Sequence, residues 1–117
     1  MSQERRRSPR IRCVLPVRLY PQGEAKVIQT LTKDIGLGGM KCLTPTPRPI
    51  ATNLTVELAL GSGKEILSLR AQTVWFQEVP KSDQFYLGVV FKDLPEEHRR
   101  RLSRYIQSIA SSQTPSW

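Results

Sequence analysis

Cysteine and histidine are scarce in this chain of 117 residues, which contains two cysteines and one histidine. Cys13 and Cys42 form no CxxC pair and His98 stands alone, so the residues that a zinc site needs are lacking. The same shortage gives little support to a Ser/His/Asp or Cys/His catalytic set. We therefore expect no metal and no enzymatic activity, with both thiols reduced and at least partly buried.

Long hydrophobic runs are also absent. No stretch approaches the roughly 20 apolar residues that a membrane-spanning helix needs. The first residues, MSQERRRSPRIR, lack the apolar core of a secretory signal. We therefore expect a cytoplasmic protein, and the length fits a single domain whose core needs no metal or disulfide to fold.

Acidic residues are few: Asp and Glu total 10 against 18 Lys and Arg, which gives a net charge of +8. Residues 1–12 hold five arginines and one glutamate, and so supply +4 of that charge. An excess of positive charge favours a polyanionic partner, namely a nucleotide, a nucleic acid or an anionic membrane surface. Its concentration in one short segment predicts a basic N-terminal arm.

Short strand-like segments divided by turn residues occupy the middle of the chain. Apolar residues alternate with polar ones, most clearly from Leu54 to Leu60. Pro16 indicates that the first strand is bulged or lies at a sheet edge. The pattern is typical of an antiparallel β-barrel or sandwich. We predict six strands, at 14–20, 26–34, 40–44, 53–60, 65–79 and 85–91.

The hydrophobic period changes at the C-terminal end of the chain. Apolar residues from Leu94 to Ile109 fall mostly on one stripe, which predicts an amphipathic helix packed on the barrel. Pro95 suits the first helical turn and Asp93 suits a cap. The predicted organisation is a flexible basic arm over 1–12, a barrel with its helix over 13–110 and a disordered tail over 111–117.

Two segments hold residue types that bind nucleotides. Residues 5–10, Arg-Arg-Arg-Ser-Pro-Arg, are equally consistent with a solvated basic tail when taken alone. Residues 34–39, Asp-Ile-Gly-Leu-Gly-Gly, taken alone indicate a glycine-rich hairpin or bulge where a positive φ is needed. Exposed N–H groups in such a loop bind anions, but the GK(S/T) signature and the following helix of a P-loop are lacking.

Taken together and in this order, the two segments resemble the motifs of the PilZ family. Arg6 and Arg10 match an Arg-x-x-x-Arg at the front of a β domain. Asp34, Gly36 and Gly39 match an Asp-x-Ser-x-x-Gly motif that follows about two strands later.

The resemblance extends over most of the chain. LPVRL at 15–19 is similar to the family's first strand, Val74-Trp75 and YLGVVF at 86–91 are similar to its late strands, and a C-terminal helix follows. This resemblance implies a six-stranded antiparallel β-barrel of the split-barrel type. It also implies binding of the bacterial second messenger cyclic di-GMP, often as an intercalated dimer of the nucleotide.

The resemblance assigns nucleotide contacts to particular residues. A guanine edge accepts the bidentate fork of an arginine, and a planar guanidinium can stack on a base. We therefore expect Arg6 and Arg10 on guanine edges and phosphates. Asp34 offers acceptors for guanine N1–H and N2–H2, and Gly39 lets the backbone approach the ligand.

One position departs from the family pattern. Gly36 stands where the family usually has a serine. Loss of that hydroxyl removes one hydrogen bond, which predicts roughly two- to tenfold weaker binding. Arg5 and Arg7 are secondary candidates for the site, through attraction to phosphate.

Three further residues of the predicted strands are alternatives for the ligand face. Trp75 is a secondary candidate that can stack on a guanine near the rim, with a core or edge position as the alternative. Lys41 and Arg70 are expected to be solvated surface residues.

The predicted function is a receptor for cyclic di-GMP that acts as a ligand-responsive adaptor. The arm closes over the nucleotide, and the altered surface engages a downstream protein. We take the receptor to be a monomer. Two alternatives stay open: a sequence-tolerant RNA- or DNA-binding β-barrel, for which an aromatic content of 7% is low, and a ligand-free PilZ scaffold that binds only proteins.

Overall fold

The computed structural model of the chain describes residues 10–46, 48–61 and 65–112, with side chains described up to residue 110. Strands dominate this part of the chain, and a helix follows them. The elements are β1 (Ile11–Arg12), β2 (Pro16–Pro21), β3 (Ile28–Ile35), β4 (Gly39–Thr44), β5 (Asn53–Leu60), β6 (Glu65–Glu78), β7 (Phe85–Lys92) and α1 (Glu96–Ser112).

Six of these strands close into an antiparallel barrel. β2, β3 and β4 pair in chain order as one three-stranded unit, and β5, β6 and β7 form a second unit in the same way. The two units join along β2–β5 and along β4–β7, so the sheet returns to the strand on which it began. The prediction of a six-stranded antiparallel barrel is confirmed.

The two ends of the predicted domain differ slightly from the structure. Ile11 and Arg12, which the sequence assigned to the arm, pair as β1 with Ile35 and Asp34 of β3. Pairing with β3 satisfies backbone groups that a free arm would leave to water. At the other end, α1 includes the first two residues of the predicted tail. Residues 1–9 and 113–117 lie outside the described residues.

Alternation of buried and exposed side chains along the strands builds the core. On β5, the inward-facing residues are almost fully buried, namely Leu54, Val56, Leu58 and Leu60. Leu102 and Ile106 of α1 are buried against the same core, with Tyr105 and Ile109 packed at its margin. The helix is therefore amphipathic and lies on the barrel, as predicted.

Two predictions at element ends are wrong. Pro16 opens β2, but β2 pairs with β3 on one side and β5 on the other, so it is not an edge strand, and neither pairing has the register shift of a bulge. The first residue of a strand tolerates proline because its missing N–H interrupts little of the ladder. Asp93 does not cap α1. The capping residue is the one whose carbonyl accepts the first helical hydrogen bond, and that bond runs from the N–H of Arg99 to the carbonyl of Pro95, at 2.8 Å.

Candidate functional site

A bulge in β3 turns Asp34 to the outside of the barrel. Thr32 faces the interior opposite Cys42, and both are fully buried. The register then shifts, so that Lys33 is an extra residue and Asp34 pairs with Lys41. Without the bulge, strand alternation would place Asp34 on the same face as Thr32, in the apolar interior.

A second bulge, in β6, turns Trp75 to the outside of the barrel. Thr73 is fully buried opposite Val89, whereas Trp75 pairs with Gly88 after a register shift. Val74 is the extra residue here. Since bulges re-aim the side chains that follow them, the indole lies on the outer face instead of continuing the inward series.

The two bulges bring Asp34 and Trp75 into one row on the outer face. Cross-strand partners run from Asp34 to Lys41, from Lys41 to Gly88 and from Gly88 to Trp75. Arg12 pairs with Asp34 from β1 and extends the row. We call these five residues the outer row. Neighbouring strands lie about 4.8 Å apart, so the backbones of Asp34 and Trp75 are separated by roughly 14 Å along the sheet.

Asp34 is the negative centre of a basic cluster. Its Oδ1 accepts a hydrogen bond from Nη1 of Arg10 at 3.2 Å, and its Oδ2 lies 3.8 Å from Nζ of Lys41. The side chains of Arg10 and Asp34 are 19% and 22% exposed, so solvent screens this pair less than a fully exposed one. A depression beside the pair is lined by Arg12, Cys13, Val14, Lys33, Asp34 and Lys41.

Thr32 ties the segment that follows β1 to the barrel. Its buried hydroxyl donates to the carbonyl of Cys13 at 2.5 Å and accepts from the N–H of Leu15 at 2.9 Å. The N–H of Thr32 donates in turn to the carbonyl of Leu15 at 2.9 Å. Because β1 directly precedes this anchored segment, the anchor helps to hold Arg10 beside Asp34.

The glycine turn between β3 and β4 is set by backbone packing. The N–H of Gly36 donates to the carbonyl of Gly39 at 2.9 Å, and no glycine of this turn has a positive φ. The expectation of a positive φ here is therefore wrong. A Cβ on Gly39 would collide with the carbonyl oxygen of Val89 on β7. Gly39 thus permits close approach of β4 to β7, and its predicted approach to a ligand stays a prediction.

Trp75 lies over Gly88, which makes the far end of the outer row aromatic. A Cβ on Gly88 would collide with the indole atoms Cε2 and Nε1, so the ring lies against the backbone of β7. Beside it, Nζ of Lys41 lies 4.8 Å from the centre of the Tyr86 ring, within the range of a cation–π contact. Both rings are half-buried, so part of each remains accessible.

Cys13 and Cys42 are both buried and free. Burial raises the pKa of the Cys42 thiol to about 12, and the carboxylate of Asp34 acts in the same direction. Burial also raises the pKa of Cys13, against the lowering effect of its contact with the Tyr105 hydroxyl, 3.9 Å away. Neither sulfur is activated as a nucleophile, because nucleophilic attack needs the thiolate.

Metal ligands do not cluster in the part of the chain that the structure describes. Over 10–46, 48–61 and 65–112, no three His, Cys, Asp or Glu side chains come together as a metal-binding group. Within the same residues, α1 falls short of the length and apolarity that a membrane crossing requires.

The structure brings together some of the predicted site residues. Arg10 and Asp34 are in direct contact, and Trp75 lies in the same outer row as Asp34. Gly36 lies in the turn between β3 and β4, and Gly39 is the first residue of β4. The predictions for three arginines lie outside the described residues: Arg5, Arg6 and Arg7.

Sequence reasoning missed the middle of the outer row. Lys41 was expected to be a solvated surface residue, but it pairs with Asp34 and contacts Tyr86. Gly88 was not assigned to the site at all. Only the cross-strand register shows that these residues lie between Asp34 and Trp75; the available sequence signal was the glycine within an otherwise β-branched and aromatic strand.

Comparison with protein families gives one family whose model covers most of the chain. A family model described as PilZ domain matches residues 4–108. The matched span includes the arm arginines, the glycine turn, every strand described above and most of α1. Comparison with curated proteins gives no match.

The fold is similar to several solved structures. MotI/DgrA, an inhibitor of motility from Bacillus subtilis, matches with a TM-score of 0.81 at 18% identity, over 94% of this chain and 53% of that chain. The PilZ domain of Escherichia coli YcgR with c-di-GMP matches with a TM-score of 0.74 at 21% identity, over 92% of this chain and 93% of that chain. The MrkH–c-di-GMP complex from K. pneumonia matches with a TM-score of 0.74 at 18% identity, over 92% of this chain and 53% of that chain. Identities this low show the shared fold, and this chain spans about half the length of MotI/DgrA and of MrkH.

Proposed function

This chain belongs to the PilZ domain family, and from that premise we propose that it is a receptor for cyclic di-GMP. Two of the structures that share its fold, the YcgR PilZ domain and MrkH, are complexes with that nucleotide. The proposal for this chain rests on its own outer face, where a basic cluster and an aromatic surface lie in one row.

The observation that carries the proposal is the contact between Arg10 and Asp34, at 3.2 Å on the outer face. A guanine presents two acceptors, O6 and N7, that match an arginine fork. Its N1–H and N2–H2 groups are donors that match a carboxylate. Arg10 and Asp34 therefore provide the two opposite hydrogen-bonding characters that a guanine needs, whereas a phosphate alone would need only the cation.

Trp75 supplies the third kind of contact, stacking. Its ring lies against the backbone of Gly88, which has no side chain, and the ring is only half-buried, so its accessible part can receive a base. Stacking of a base on an aromatic side chain is worth about 1–3 kcal/mol. We propose that one guanine stacks on Trp75 while Arg10 and Asp34 bind guanine edges nearer β3.

The remaining arginines of the arm complete the proposed site. Arg6 is proposed to bind the second guanine or a phosphate with its fork, and Arg5 and Arg7 attract the phosphates. The proposed ligand role of Gly36 and Gly39 is to offer backbone groups close to the nucleotide. Gly36 replaces the usual serine, so we expect roughly two- to tenfold weaker affinity than a serine would give.

We propose that the protein acts as an adaptor. Binding orders the arm over the nucleotide, and the changed surface engages a downstream protein in the bacterial cytoplasm. Activity resides in binding alone: we assign no catalytic residue and no metal, and we take the receptor to be a monomer.

Calorimetric titration of the full chain with cyclic di-GMP, cyclic di-AMP and single-stranded RNA tests this proposal. We expect micromolar or tighter binding of cyclic di-GMP and far weaker binding of the other two. Weak binding of all three that falls uniformly with salt would instead support a nucleic-acid-binding barrel. Absence of binding to any of them would support a PilZ scaffold that contacts proteins only.

A further inference from the structure

Lys41 lies at the centre of the outer row. It pairs with Asp34 on one side and with Gly88 on the other, and Gly88 carries the indole of Trp75. Any ligand that contacts both Asp34 and Trp75 must pass over the strand position of Lys41. We infer that Lys41 is a further nucleotide-binding residue, whose ammonium group binds a phosphate oxygen of the ligand. This inference rests on the proposed receptor function.

The ammonium group of Lys41 is held from two sides. Its Nζ lies 3.8 Å from Oδ2 of Asp34 and 4.8 Å from the centre of the Tyr86 ring. A lysine side chain normally loses considerable rotamer freedom when it binds a ligand. Since these two contacts already restrict Lys41, binding a phosphate costs less conformational entropy than it would for an unrestrained lysine.

The hydrogen-bond donors of Lys41 remain available. A lysine has three N–H donors, and the 3.8 Å separation from Asp34 is an ion pair that is too long for a hydrogen bond. The cation–π contact with Tyr86 is electrostatic and leaves the donors free to point elsewhere. Lys41 can therefore donate to a phosphate oxygen without first breaking a hydrogen bond to any residue that the structure describes.

The charge of Lys41 is only partly balanced. Asp34 offers a single negative charge, and Arg10 occupies its other oxygen at 3.2 Å. One carboxylate between two cations leaves a net positive charge on the three groups. A compact ammonium group suits a phosphate oxygen, whereas the planar fork of Arg10 suits a guanine edge. In this cluster Lys41 is therefore suited to bind phosphate and Arg10 to bind guanine.

Lys92 provides a matched control on the neighbouring strand. It is exposed and is the last residue of β7, four positions beyond Gly88, where it pairs with Arg70. Its alanine variant removes the same charge from the chain. It leaves the outer row intact.

The test compares Lys41→Ala, Lys41→Arg and Lys92→Ala in the full chain. Each is titrated with cyclic di-GMP at low and high salt, and urea unfolding checks that each variant is folded. We expect Lys41→Ala to bind about tenfold more weakly, Lys41→Arg to restore most of the affinity and Lys92→Ala to stay within about twofold of the wild type. The affinity of Lys41→Ala should also fall less steeply with salt, since one screened charge is gone.

Two outcomes overturn the inference and separate it from the function on which it rests. If the wild type binds cyclic di-GMP and Lys41→Ala binds with the same affinity and salt dependence, Lys41 is no ligand residue and the receptor proposal stands. If the wild type fails to bind, both proposals are wrong. A structural role alone would lower the stability of Lys41→Ala without changing the salt dependence of binding.

Discussion

Asp34 and Trp75 lie in the same outer row of the barrel, and each is there because one extra residue shifts its strand. The shift follows a buried threonine in both cases, Thr32 on β3 and Thr73 on β6. A purine presents hydrogen-bonding groups at its edge and a π-surface on its face. The two bulges therefore present a carboxylate and an aromatic ring to the same side of the molecule, three strands apart.

Asp34→Ala is expected to weaken binding of cyclic di-GMP by about 30-fold, or about 2 kcal/mol, because it removes a guanine acceptor and releases Arg10. Arg10→Ala should have an effect of the same order. Since the two side chains share a hydrogen bond at 3.2 Å, the double variant should lose less than the sum of the single losses. Calorimetric titration of the four proteins measures this coupling.

A surface ion pair remote from the outer row supplies the control for that cycle. Oε1 of Glu24 lies 3.1 Å from Nη2 of Arg48, so Glu24→Ala also removes one carboxylate from an ion pair with an arginine. We expect it to leave affinity within about twofold, because it removes no ligand contact. Equal losses for Glu24→Ala and Asp34→Ala would contradict a direct role of Asp34.

Gly39→Ala is expected to lower the free energy of unfolding by about 3 kcal/mol. A Cβ at this position would collide with the carbonyl oxygen of Val89, and two paired backbones cannot separate without losing hydrogen bonds. Gly38→Ala is the control, since a Cβ there meets nothing within 4 Å. Urea unfolding compares the two variants, and similar stabilities would show that β4 and β7 can separate at low cost.

Gly88→Ala is expected to displace the indole of Trp75 and to lower the free energy of unfolding by about 1–3 kcal/mol. The three atoms nearest to the added Cβ would all belong to that ring. The same substitution in a Trp75→Ala background should therefore lower the free energy of unfolding by less than about 0.5 kcal/mol. Urea unfolding measures both costs. Indole emission follows the ring itself in a Trp117→Phe background, where Trp75 is the only tryptophan. Equal costs in both backgrounds would refute the contact.

The buried thiol of Cys42 makes stability depend on alkaline pH. Its pKa is about 12 in the folded protein against 9.0 unperturbed, so above pH 9 the folded state binds more protons than the unfolded state. The thiol's contribution to the free energy of unfolding is fully present below about pH 9 and is lost as the pH rises towards 12. About 2 kcal/mol of it is lost by about pH 10.5. Urea unfolding of the wild type and of Cys42→Ala at about pH 8 and 10.5 should show this extra loss in the wild type alone.

Most of the barrel could be predicted from the sequence because its signals are local. Alternation from Leu54 to Leu60 gave the bounds of β5, and the change of period after Asp93 gave the helix. The role of Pro16 could not be predicted in the same way. Whether a strand lies at an edge depends on which strands close the barrel, and that pairing is a long-range property of the fold.

The candidate site was predictable only in part, for the same reason. Motif order identified Arg10 and Asp34, and their contact is present in the structure. Simple alternation along β6 would have turned Trp75 inwards, because it follows the inward-facing Thr73 by two positions. A bulge depends on the register between strands and leaves little trace in one sequence. The position of Lys41 beneath the proposed ligand likewise follows from register alone.

The junction between β4 and β7 joins the two three-stranded halves of the barrel, and the outer row crosses it between Lys41 and Gly88. A nucleotide that binds Asp34 on one half and Trp75 on the other would bridge that junction. Its binding energy would then oppose local opening of the barrel, which adds to the general stabilisation that any ligand gives a folded state. Hydrogen exchange of the β4 and β7 amides would slow most, so the protection of this junction would itself report that the messenger is bound.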